Sequence, residues 1–145
     1  MASVVSIHRV RKRDEVAEGL AEATFVTDFG LRDDWRSRAR STRRITLVEA
    51  EVLERVARTL GLPVVPSGAS RRQVIVRGID LNALVGRRVR VGPVLVAVEE
   101  LCLPCRNMEV KIGAGAQAAM GDRGGVCGRV VEGGTMRPGD PVAVE

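Results

Sequence analysis

Residues 86–98, GRRVRVGPVLVAV, decide the fold class. Arg88, Val89, Arg90 and Val91 alternate polar and apolar, the period of a half-buried strand. Gly92-Pro93 turns the chain, and residues 94–98 form an unbroken apolar run, a more buried strand. The same pattern repeats outward in both directions. Val4, Val5 and Ile7 predict a first strand, ATFVTDF at 23–29 a second that ends at Gly30, and QVIVR at 73–77 another. Residues 126–131 and 141–144 predict two more, with Pro138-Gly139-Asp140 in the Pro-then-Gly order of a type II turn. Gly133-Gly134 reads as turn chemistry.

Two helical segments interrupt this β text. Thr46-Leu47-Val48-Glu49 fits a capping box, in which Thr and Glu satisfy each other's free backbone donors. Val48, Val52, Val56 and Leu60 follow at i+4 spacing, and Gly61 is a natural stop. Asp80 is placed to cap one turn over 81–85, closed by Gly86. Residues 32–44, dense in Arg and Ser without an apolar period, read as a loop returning into a strand at Arg44. Many short strands punctuated by Gly predict a mostly β (α+β) fold, a closed β-barrel rather than a parallel βαβ layout.

The chain of 145 residues fits one domain spanning 1–145. Its 45% hydrophobic content argues against disorder. No run approaches the length of a membrane span, and the N-terminus does not read as a secretory signal. Three Cys are too few for a disulfide scaffold, so reduced thiols in a cytoplasm are expected. The net charge is +5, and 21 of the 23 basic residues are Arg, because Lys12 and Lys111 are the only lysines. Guanidinium forks suit anions. Aromatics are 2% of residues, so the stacking faces of a single-strand nucleic-acid binder are nearly absent. Neither a helix-turn-helix nor a zinc-finger pattern is present, which argues against a nucleic-acid partner.

Leu101-Cys102-Leu103-Pro104-Cys105-Arg106-Asn107-Met108 is the segment that carries chemistry. Pro is favoured at the first position of a helix. Cys105 then falls in the first turn, beside unpaired N–H groups and Arg106, an environment that favours the thiolate. Three readings compete here: a C-x-x-C redox pair, a structural zinc site with Cys127 and His8, and a single working thiol at Cys105 with Cys102 as neighbour. Cys127, in a predicted strand, reads as a packing thiol. His8, the only histidine, has no Ser or Asp arranged around it as a triad and reads as structural or surface. Asp122-Arg123-Gly124-Gly125 is a second candidate, since paired glycines admit a ligand close to the backbone and Arg123 could hold a phosphate. No P-loop or strand-linked G-x-G-x-x-G is present.

The order of these pieces is recognisable. Ser70-Arg71-Arg72-Gln73-Val74 precedes Arg77-Gly78-Ile79-Asp80-Leu81, then Leu84-Val85-Gly86-Arg87-Arg88 and Val91-Gly92. Cys102-Leu103-Pro104-Cys105, Arg123-Gly124-Gly125-Val126 and Gly133-Gly134 through Pro138-Gly139-Asp140 follow. Over residues 43–144 the chain resembles the MOSC domain, the C-terminal domain of molybdenum cofactor sulfurases, which also occurs as small stand-alone bacterial proteins. The resemblance implies a barrel-like β fold and a role with sulfur or the molybdenum–pterin cofactor; pyridoxal phosphate binding is also associated with the family.

It implies that Cys105, following Pro104, is the sulfur acceptor or the molybdenum ligand. It implies that Arg71, Arg72 and Gln73 lie in the stretch that holds the anionic end of the cofactor, with Arg123, Gly124, Gly125 and Arg44 (and Arg43) as companions. Two departures stand out: Gln73 replaces a frequent Asn, and of a Gly-x-x-Gly-Asp pattern only Gly30 and Asp34 match. The function so implied is a cofactor- or sulfur-handling protein, carrying sulfane sulfur on Cys105 or binding molybdenum. It would have a sulfur donor or electron-transfer protein as partner, and could support reduction of N-hydroxylated compounds. The alternative is a binding or adaptor module that keeps the fold without the cofactor.

Overall fold

The protein is described by a computed structural model covering residues 1–13, 15–38, 44–66 and 68–145, without the side chains of Arg36 and Arg38. The hairpin expected over residues 88–98 is present. Strand β7 (Arg88–Val91) pairs antiparallel with β8 (Val94–Leu101), Val91 opposite Val94, around Gly92 at φ 57°. β8 pairs on its other side with β9 (Val126–Glu132), and Val94, Val96 and Val98 on one of its faces enter the core.

The remaining strands are β1 (Ser3–Arg9), β2 (Glu18–Gly19), β3 (Ala23–Val26), β4 (Gly30–Leu31), β5 (Ile45–Glu49), β6 (Val74–Arg77), β10 (Gly134–Met136) and β11 (Val142–Val144). Eight form one sheet in the order β11-β7-β8-β9-β5-β6-β1-β2, and β10-β3-β4 form a small second sheet. The helices are α1 (Trp35–Arg38), α2 (Ala50–Leu60), α3 (Arg106–Ile112) and α4 (Ala116–Met120), with a 3-10 turn at Leu81–Leu84.

The fold is therefore mostly β with a few helices, but the expected closed barrel is corrected. The large sheet has two ends, β11 and β2. Near them the chain before β11 meets β1 through the Ser3–Pro141 bridge and a few backbone bonds, including Val4 N–H to the Asp140 carbonyl at 2.8 Å, rather than through a ladder. β11 is three residues long, too short to add a full ladder on a second side.

A second correction concerns the parallel pair. β5 and β6 run parallel, joined through α2, so one βαβ unit is present. The sequence reading placed residues 46–49 at the helix start. In the structure Thr46 and Val48 belong to β5, and α2 begins after Glu49, which makes no side-chain capping bond. The Thr46 hydroxyl instead accepts the Gln73 backbone N–H at 2.8 Å. Sheet pairing outcompetes a local cap because β5 is hydrogen-bonded on both edges, to β6 and β9. The C-terminal stop holds: Gly61 is left-handed (φ 70°) and caps α2.

Alternation along β5 and β6 divides the core in two. Leu47, Val74 and Val76 face one cluster with Phe25, Val89 and Val96. Val48 and Ile75 face another with Val52, Val56, Met108, Ile112 and Met120 from the helices. A strand buried on both faces reads as a continuous apolar run, as ITLV and VIV do. Each fully buried Val or Leu contributes about 1.5–3 kcal/mol of transfer free energy.

Smaller expectations are also adjusted. The 23–29 strand stops at Val26, because Asp28 takes a left-handed φ of 57°. The 32–44 segment includes α1, and residues 39–43, with Arg43, lie outside the described residues. Gly134 begins strand β10 rather than a turn, pairing with Phe25. The Pro138-Gly139 turn is as read, with Gly139 at φ 93° and Asp140 N–H bonded to the Arg137 carbonyl. The 81–84 turn is held by Glu49, whose Oε2 accepts Leu81 N–H at 3.2 Å. No helix among the described residues is long and apolar enough to cross a membrane.

Candidate functional site

The cysteine segment is the connection from β8 to α3. Cys102 prolongs the β8–β9 pairing by one bond, its N–H to the Gly125 carbonyl at 2.8 Å, and its side chain is 1% exposed. The chain then turns outward: Leu103 is 59% exposed and Cys105 is exposed. Here too the reading is corrected. Helix α3 starts at Arg106, so Cys105 is its extended N-cap residue (φ −113°, ψ 171°) rather than a first-turn residue, and Pro104 precedes the cap. The thiol stands at the end of the helix where backbone N–H groups lack intrahelical acceptors.

Arg72 holds this connection. Its side chain is buried against backbone: Nε donates to the Gly124 carbonyl at 2.7 Å, and Nη2 donates to the carbonyls of Cys102 (3.0 Å) and Leu103 (3.1 Å). The planar guanidinium fork suits such divergent acceptors, where an ammonium would not. Gly124 lies against the same segment. A Cβ there would stand 2.6 Å from the Cys102 oxygen and the Pro104 nitrogen, so only glycine lets the two chains approach. Gly125, at φ 107°, is pressed against the Leu47 carbonyl in the same way. On the other side Gln117 Nε2 donates to the Pro104 carbonyl at 3.2 Å, and Glu109 Oε1 accepts Gln117 N–H at 2.9 Å. Those backbone N–H groups of α4 hold the Glu109 carboxyl below its ordinary value.

The structure thus brings Arg72, Gly124 and Gly125 together around the cysteine connection. It sends the other sequence candidates elsewhere. Arg71 has φ 63° and its Nη1 donates to the Glu15 carbonyl at 2.9 Å, tying down the segment before β2. Gln73 accepts Thr46 N–H on Oε1 at 3.0 Å, while its Nε2 is buried without a partner. Arg44 Nη1 donates to the Ser37 carbonyl at 3.0 Å. Arg123 Nη1 bonds Asp80 at 2.9 Å and Glu49 at 3.2 Å, at the start of α2. Burial pushes the Glu49 carboxyl up, with the Leu81 N–H and Arg123 pulling the other way.

Cys127 is buried in β9, with Sγ 3.6 Å from Glu100 Oε1. Among the described residues no group of three His, Cys, Asp or Glu is placed to hold a metal ion. Asp34, one of the two residues kept from the N-terminal pattern, is fully buried and accepts Val10 N–H at 3.1 Å. Gln117 and Glu109 were missed in the sequence because neither stands at a recognisable cap spacing from Pro104; only the fold of α3 against α4 brings them there.

A family model described as the MOSC domain matches residues 33–143. No curated protein matches. The fold is similar to solved structures of YuaD from Bacillus subtilis (TM-score 0.77, 18% identity, covering 99% of this chain and 96% of that one). It is also similar to YiiM from Geobacillus stearothermophilus (TM-score 0.79, 18% identity, 100% and 75%). YiiM from Escherichia coli aligns with a TM-score of 0.69 at 18% identity, covering 100% of this chain and 70% of that one.

Proposed function

The chain belongs to the MOSC domain family, and on that premise we propose that it handles sulfane sulfur through Cys105. The observation that carries the reading is the contrast in exposure: Cys105 is open to solvent at the N-cap of α3, while Cys102 and Cys127 are buried. A sulfur carrier must meet its donor and its acceptor, so the exposed thiol is the one suited to the task. In the proposed step the Cys105 thiolate attacks the outer sulfur of a donor persulfide. A new S–S bond forms at Cys105, the donor's S–S bond breaks, and the donor leaves as a thiolate.

The arginines argue for sulfur rather than for a bound molybdenum–pterin. An exposed thiolate suits molybdenum, but the guanidinium groups that the resemblance assigns to the anionic end of the pterin do not fit that role here. Arg72 bonds three carbonyls, Arg71 bonds Glu15, and Arg123 bonds two carboxylates. We assign Arg72 to positioning the cysteine connection, together with Gly124.

The test is mass spectrometry after exposure of the reduced protein to a small-molecule persulfide. One added sulfur on the peptide containing Cys105, lost in Cys105→Ser and kept in Cys102→Ser, supports the reading. Sulfur found only on the buried thiols, or on none, overturns it. The second reading, an adaptor module, is favoured by the exposed Leu103 and Val110 on and beside α3. It would gain if no sulfur is taken up and Leu103→Asp abolishes capture of a protein partner.

A further inference from the structure

A cavity of about 600 Å³ opens on the outer face of the large sheet, between α2, residues 62–66 and strands β1 and β6. Pockets of this size commonly hold small organic molecules. Leu53, Ala57, Val65 and Ile75 supply apolar wall, and Ser6 and His8 supply a polar corner. Arg58, Arg77 and Glu54 are exposed on the lining. Arg77 and Glu54 form a two-bond pair at 3.1 Å each, leaving the Arg58 charge as the net charge of the three.

His8 determines what the corner offers. It is 4% exposed, its Nε2 lies 3.1 Å from Ser6 Oγ, and its Nδ1 is buried with no hydrogen-bond partner. A buried N–H without a partner is rarer and costlier than a buried lone pair. The ring proton therefore belongs on Nε2, donated to Ser6 Oγ, with Nδ1 as the bare lone pair. Burial also keeps the ring neutral by lowering its pKa. Ser6, accepting from His8, has its own O–H left to donate into the cavity it lines.

We propose that this cavity binds a small organic carboxylate with an apolar body, the carboxylate accepting a hydrogen bond from the Ser6 hydroxyl with Arg58 as counter-ion and the body lying against Leu53, Ala57, Val65 and Ile75. The proposal uses no residue of the cysteine connection and stands or falls apart from the sulfur reading.

Octanoate, octanol and octylammonium share one body and differ in head group. Each is titrated into the full chain while the ring 1H–15N signals of its single histidine are followed. Octanoate is expected to shift them saturably, octanol to bind about tenfold more weakly and octylammonium more weakly still. Ser6→Ala, which also removes the acceptor of His8 Nε2–H, and the surface variant Arg58→Gln are each expected to weaken octanoate about tenfold, with the folded dispersion of the amide spectrum retained. Equal binding of the three probes, no shift with any, or a ring signal showing the proton on Nδ1 would overturn the proposal.

Discussion

Arg72 Nε donates to the carbonyl of Gly124 at 2.7 Å, and the same guanidinium reaches across to Cys102 and Leu103. One side chain from the loop before β6 thus joins the end of β8 to the start of β9. Charged hydrogen bonds to buried carbonyls contribute about 1.5–3 kcal/mol each. Arg72→Lys keeps the charge but loses the fork, and is expected to lower unfolding free energy by about 2–3 kcal/mol in urea. Alkylation of Cys102 under native conditions should rise with it. Unchanged protection of Cys102 would show that Arg72 does not hold the connection.

Gly124→Ala and Gly121→Ala should differ in kind. At 124 a methyl meets the Cys102 oxygen and the Pro104 nitrogen at 2.6 Å, both backbone atoms that cannot step aside. Overpacking of this kind costs about 1–3 kcal/mol and should displace Cys105. At 121 nothing lies within 4 Å, and the methyl is opposed only by the backbone, φ 60° and ψ −124°, a region outside the left-handed helix that suits glycine. Loss there is strain of the backbone alone, about 1–3 kcal/mol, and should leave Cys105 in place. Alkylation of Cys105 in the two variants, read beside their denaturant melts, provides the comparison.

Thr46→Val separates the two roles open to this residue. A helix cap would lose helicity on the change. In the structure the substitution instead strands the buried Gln73 N–H, which the Thr46 hydroxyl accepts. The expected result is a loss of about 1–3 kcal/mol with the far-ultraviolet helix signal retained in the folded state. Thr46→Ser should recover most of it.

Stability should fall in acid. Glu54 is held below the ordinary carboxylate value of 4.5 by Arg77, Asp80 below its own by Arg123, and Glu18 by Arg9. A carboxyl whose pKa is lower in the folded state stabilises the fold above the unfolded value, and that share is lost as pH falls through the folded one. His8 acts in the same direction: burial lowers its pKa from 6.5, so stability begins to decline as pH drops below that value. Glu49, pushed up by burial, works oppositely and favours the fold most below 4.5. Urea unfolding across pH, compared with His8→Phe and Glu54→Gln, should show the upper and lower parts of this decline removed separately.

The sequence alone was enough for the β-rich class, the β7–β8 turn, the α2 stop at Gly61 and the Pro138-Gly139 turn. Each rests on a local rule: side-chain period, a left-handed glycine, a proline at a fixed φ. Local rules also explain the misplacements. Thr46-Leu47-Val48-Glu49 satisfies a capping pattern and a strand pattern equally, and the neighbours β6 and β9, distant in sequence, select the strand. Arginine is the clearest case. A guanidinium written in a chain can face an incoming anion or its own backbone, and nothing within a few residues of Arg71, Arg72 or Arg123 distinguishes the two. Tertiary structure decides, because the acceptors lie 56, 52 and 43 positions away, at Glu15, Gly124 and Asp80. The cavity beside His8 was equally hidden, since its walls come from β1, α2 and β6 and exist only once the helix has packed on the sheet.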